Sequence, residues 1–138
     1  MSYLKLFLLI LPVFLVLDFF WIGYLMKNFY AQELGDLARR EGNSLAPRWG
    51  AAILVYILIP LGIVLFVRPH LNTADPWWIA AAWGAAFGVV LYGVYDLTNL
   101  AVLDKWTTRV TVVDMAWGGV LCGTAATWMH VASRWFGV

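Results

Sequence analysis

The chain has 138 residues, 63% of them hydrophobic and only 12% charged, with a formal net charge of +1. Soluble domains are about 45–50% apolar, so composition alone places this chain in the membrane class. The small net charge argues against nucleic acid as a partner, and the single cysteine, Cys122, excludes an internal disulfide, with no zinc-ligand spacing around it.

The N-terminus, MSYLKLFLLILPVFLVL, has a lysine followed by an apolar run, as a signal peptide does. It lacks a small-residue cleavage site, and its apolar character continues past Asp18 through FFWIGYLM, so the expectation is a retained first transmembrane helix near residues 3–26. The longest connection, KNFYAQELGDLARREGNSLAPR, follows. Within it, residues 29–41 are read as a short amphipathic helix lying in the interface, ended by Gly42, with Asp36 and Arg40 spaced i,i+4, and a plain solvated loop is the alternative. Further spans are predicted near residues 49–67, 77–103 and 110–135, joined by the short segments RPHLNTADP and DKWTTR. The expected fold is therefore all-α: a polytopic membrane protein, one domain over residues 1–138, with four transmembrane helices in a compact bundle. Pro12 and Pro60 interrupt the first and second helices and free the carbonyls of Leu8 and Tyr56.

Of the nine tryptophans, Trp49, Trp77, Trp78, Trp106 and Trp135 fall at predicted helix ends, where aromatic belts anchor membrane proteins. Trp83 and Trp128 fall deeper and are assigned to packing or lipid. His70 and His130 stand apart from each other and from Cys122, which suits helix-end polar groups better than ligands. The connections after the first and third helices hold Lys27, Arg39, Arg40, Arg48, Lys105 and Arg109, whereas the opposite side holds Lys5, Arg68 and Arg134. By the positive-inside rule the six-cation side is cytoplasmic and both termini are periplasmic.

Three aspartates fall within the predicted spans, each costing roughly 2.5–3.5 kcal/mol at a helix centre on insertion scales. Asp18 precedes Lys27 by nine residues, Asp96 precedes Lys105 by nine, and Asp114 follows Arg109 by five. At 1.5 Å per residue all three lie about 7–14 Å inside the same boundary. Gly84, Gly88, Tyr92 and Asp96 form one ridge of the third helix, which Asn99 extends. Asp114, Gly118, Cys122 and Ala126 form one ridge of the fourth. Small residues at this spacing let helix backbones approach, so the ridges that pack also carry the carboxyls. Asp18-x-x-Trp21 and Asp114-x-x-Trp117 repeat one pattern, with Tyr92 and Tyr95 nearby. A ligand-binding layer of Asp18, Trp21, Tyr92, Tyr95, Asp96, Asn99, Asp114 and Trp117 is the expectation. Interhelical hydrogen bonding that merely fixes the packing is the alternative, at about 0.6–2 kcal/mol per contact.

D-x-x-W-x-G followed by N-F-Y in the first helix, Y-G-V-Y-D-L-T-N-L-A in the third and D-x-x-W-G in the fourth resemble a family of small bacterial inner-membrane proteins catalogued as a domain of unknown function. The resemblance covers essentially the whole chain and implies four transmembrane helices and an inner-membrane location. It carries no established activity. The positions that match it are Asp18, Trp21, Gly23, Tyr30, Tyr92, Gly93, Tyr95, Asp96, Thr98, Asn99, Asp114, Trp117 and Gly118.

Three functions follow from these residues. The acidic layer could bind or pass a proton, a cation or a small amine, with the tryptophans offering cation–π faces and a dimer completing the pathway. The ridges and deep tryptophans could pack against a larger membrane protein. An enzyme acting on lipid near the inner leaflet is the third, with an aspartate as general acid or base and a tyrosine as second donor. No nucleophile elbow or metal set supports it, and no catalytic residue, cofactor or metal is assigned.

Overall fold

The computed structural model describes residues 2–137. Helix α1 (Tyr3–Phe20) continues into a π-helical turn, Trp21–Leu25. A short helix α2 (Lys27–Leu34) and a two-stranded hairpin, β1 (Arg40–Glu41) with β2 (Ser44–Leu45), follow outside the first span. Helix α3 (Trp49–Gly62) also runs on, through a π turn (Ile63–Val67) and a 3-10 turn (Arg68–His70). Helices α4 (Trp77–Val102) and α5 (Thr108–Phe136) complete the bundle. Four spans, Tyr3–Leu25, Trp49–His70, Trp77–Val102 and Thr108–Phe136, are long and apolar enough to cross a bilayer.

Each span forms because its apolar residues satisfy both surroundings, lipid and neighbour. On α1 the buried residues are Leu6, Ile10, Phe14 and Asp18, a single i,i+4 stripe. Leu4, Leu8 and Val16, off that stripe, remain exposed, as lipid-facing side chains do. Helix α5 is the central stave, with over half of its span buried. Thr107 caps it, its Oγ1 accepting from the Val110 amide at 3.2 Å, and so starts it two residues before the predicted Val110.

The closest approach in the bundle is the seam between α4 and α5. A Cβ placed on Gly88 would lie 2.0 Å from the Gly118 carbonyl oxygen, and one on Gly84 would lie 2.5 Å from that of Cys122. One on Gly118 would strike the Tyr92 ring at 2.4 Å. The two sequence ridges therefore interlock in antiparallel order, and only glycine fits at these positions. Toward the termini the core is apolar, built from Leu6, Ile10, Phe14, Ile63, Val64, Val67, Leu121 and Met129.

The connection between the first two spans differs from expectation. The predicted helix over residues 29–41 stops at Leu34, because Gly35 takes φ 47°, a conformation that side chains rarely adopt and that ends a helix. Gly42 (φ 61°) instead turns the hairpin. Asp36 does not pair with Arg40. It meets Lys105 at 3.1 Å, while Arg40 donates to the Gly35 and Ala31 carbonyls and caps the end of α2.

The tryptophans sort largely as expected. Trp49, Trp77, Trp78 and Trp135 are exposed at span ends. Trp83 stacks on His70 at 4.3 Å, and Trp128 donates its indole N–H to the Leu9 carbonyl at 2.9 Å. That carbonyl neighbours the one at Leu8 from which Pro12 removes the helical donor. His130 Nε2 donates to the Asp75 carbonyl at 2.8 Å, tying α5 to the loop before α4.

Candidate functional site

The seam between α4 and α5 decides where two of the carboxyls go. With Gly88 against Gly118 and Tyr92 next in line, the following turn of α4 sets Asp96 facing Asp114. Asp96 lies six residues from the end of α4 and Asp114 six from the start of α5, about 9 Å of rise in each. Asp96 is fully buried, and among the described residues neither of its carboxylate oxygens has a hydrogen-bond partner. Two ionised carboxylates offer each other only acceptors.

The other polar groups are held crosswise between α1 and α5. The Trp117 indole N–H of α5 donates to Asp18 Oδ1 of α1 at 3.1 Å. In return, the Trp21 indole N–H donates to the Tyr30 hydroxyl at 3.1 Å, and that hydroxyl donates to Asp114 Oδ1 of α5 at 2.7 Å. Between these two links the indoles stack face to face, 4.3 Å between centroids and 2° from parallel. Each D-x-x-W pair thus serves the opposite helix rather than its own carboxyl. The stacking leaves no room for a cation between the two rings.

Two tyrosines outside the expected set belong to this layer. Tyr56 of α3 faces Asp18, which is itself buried. Tyr30 reaches the layer because α2 is docked on the start of α5: Glu33, one turn after Tyr30, accepts from Thr107 Oγ1 at 2.6 Å and pairs with Arg109 at 3.4 Å. Arg109 also lies over the Phe29 ring at 5.4 Å. Burial, and then the adjacent Asp114 carboxylate, push the Tyr30 hydroxyl above its ordinary value, so it remains a proton donor. The sequence signal for Tyr30 is the N-F-Y element of the family resemblance, and Glu33 follows it at i,i+3 in a short polar segment. What that segment would dock on could not be read from spacing.

The remaining expected residues divide. Tyr92 packs its ring on Gly118 inside the seam. Tyr95 and Asn99 turn to the other side of α4, where Tyr95 is largely exposed and sets its ring edge-on to Trp106 at 5.8 Å. They line a cleft of ≈ 880 Å³ that does not include the three aspartates.

These features define an integral membrane protein of four helices whose carboxyl-bearing layer lies near the end of the bundle that carries α2 and the hairpin. The chain belongs to the family described as "Predicted membrane protein (DUF2177)", whose model matches residues 3–131. No curated protein and no solved structure matches it.

Proposed function

We propose that this protein binds and exchanges a proton within the membrane, at the Asp96–Asp114 pair. The observation that carries the reading is Asp96: a fully buried carboxyl with no donor, facing a second carboxyl. One proton held between the two supplies the missing donor and removes one of two like charges from a low-dielectric interior. A proton needs no cavity, and the stacked indoles fill the space in which a larger cation would be sought. The Trp21–Tyr30–Asp114 chain links the pair to the loop-bearing face, where Tyr30 can pass or hold the proton. Six Lys and Arg residues on that face against three on the other support a cytoplasmic orientation in a bacterial inner membrane, with periplasmic termini.

The test is an infrared titration of the full chain in lipid nanodiscs, following the stretch of protonated carboxyl groups. A band present at neutral pH and lost in Asp96→Asn, with the helical amide signal unchanged, is the expected result. If no protonated carboxyl exists at neutral pH, or the band survives intact in both Asp96→Asn and Asp114→Asn, the proposal fails.

A further inference from the structure

The cleft beside the carboxyl layer has a composition that the proton site does not use. It opens where α1 ends, α3 begins and α4 ends, with Trp49 and Trp106 in its wall. Tryptophans at span ends mark the headgroup level of a bilayer. Its charged lining consists of Lys27 and Arg39, with no Asp or Glu. Most other cations of this face are already engaged: Arg40 with carbonyls, Lys105 with Asp36, Arg109 with Glu33. Among the described residues Lys27 and Arg39 have no ion-pair partner. The lining also takes in residues of the spans themselves: Phe19 and Ile22 from the first, and Tyr95 and Asn99 from α4. The two cations thus lie outside the spans, while the lining within the spans is apolar apart from Tyr56, Tyr95 and Asn99. The cleft volume, ≈ 880 Å³, lies within the range of about 300–1,000 Å³ usual for ligand sites.

We infer that this cleft binds one anionic phospholipid from the surrounding leaflet. Lys27 and Arg39 take the phosphate, the Tyr95 hydroxyl and Asn99 amide face its ester region, and Phe19 and Ile22 receive the start of an acyl chain. A zwitterionic lipid would bring its own cation to the same mouth and bind less well. The inference uses none of the three aspartates, so it stands or falls separately from the proton reading.

The experiment is native mass spectrometry of the full chain released from nanodiscs of mixed phosphatidylglycerol and phosphatidylcholine. One retained phosphatidylglycerol per chain is expected. Changing both cations, Lys27→Gln with Arg39→Gln, lowers its retention about thirtyfold, at about 1 kcal/mol per cation near the surface. Arg48→Gln is the control, a cation of the same face outside the cleft lining, and leaves retention unchanged. Equal loss in the Arg48 variant would show general surface attraction and overturn the site. So would retention of both lipids alike, or displacement of the bound lipid by inorganic phosphate at millimolar concentration. Because all the changed residues are exposed outside the spans, loss of folding is checked by the helical circular dichroism of each variant.

Discussion

On the terminus-bearing side of the bundle, the apolar side chains of Leu6, Ile10, Phe14, Val64 and Met129 interdigitate with almost no exposed surface, and the polar groups beside them, Trp128, His130 and Ser133, bond to backbone carbonyls. Follow the same stripe of α1 one turn further and it reaches Asp18, where the packing becomes a set of directed bonds among α1, α2 and α5. The first region is held by close packing, which tolerates no voids but specifies little beyond volume. The second has a buried carboxyl without a donor and depends on a segment outside the spans to complete it. A region that exists only to hold helices together has no need of that arrangement, which is why the difference points to chemistry on the loop side.

That comparison can be broken most severely at the seam the two regions share. Gly88→Leu sets a side chain into the backbone of α5, an obstacle that cannot rotate away. Its cost exceeds the ~1–3 kcal/mol usual for overpacking, and no folded protein should accumulate in the membrane fraction. Gly23→Ala, with open space at its Cβ, should accumulate normally. Next in size is a pair that separates the regions directly. Phe14→Ala in the dry core should cost about 3–5 kcal/mol, read as a fall in thermal midpoint in nanodiscs. Asp96→Asn, of nearly equal volume, should leave the midpoint unchanged or raise it, because its amide gives Asp114 a donor. A fall comparable to that of Phe14→Ala would mean that the carboxyl layer is structural cement.

The smallest effect sharpens the role of α2. Tyr30→Phe removes one hydrogen bond to Asp114 and one from Trp21, about 2 kcal/mol in all at about 1 kcal/mol per bond. Its pH dependence has a definite sign. The folded state holds the Tyr30 proton above the ordinary value of 10.0, whereas the unfolded chain releases it there. The native state therefore binds more protons above pH 10, and stability falls as pH rises beyond that point. In Tyr30→Phe this part of the alkaline fall should disappear, which a set of denaturation curves between pH 9 and 11 would show.

The four spans were legible because length and apolarity are enough to identify them, and the seam because glycine at i,i+4 on two helices has few other uses. Asp96 opposite Asp114 followed from those ridges. The crosswise indoles did not. Asp18 and Trp21 share a face on an ideal helix, but the π turn that begins at Trp21 ends the regular phase there, and the partner of Asp18 lies 99 residues away. Tyr30 meets Asp114 across 84 residues, through a docking contact of Glu33 with Thr107 that no periodicity encodes. The expected helix over residues 29–41 ends at Gly42. Gly35 held that role, and the sequence offers two glycines with nothing local to choose between them.

The glycine seam has a mechanical consequence. With backbone pressed on backbone along α4 and α5, that pair has no slack and behaves as a fixed wall. Asp96 and Asp114 are both mounted on it, so their spacing is set by the wall itself. Tyr30, by contrast, arrives on α2, anchored at its far end by one exposed ion pair and one hydroxyl. A change of charge at Asp114 would therefore act on that light arm before it moved either heavy helix, and the arm hangs directly from the hairpin and cleft at the membrane surface.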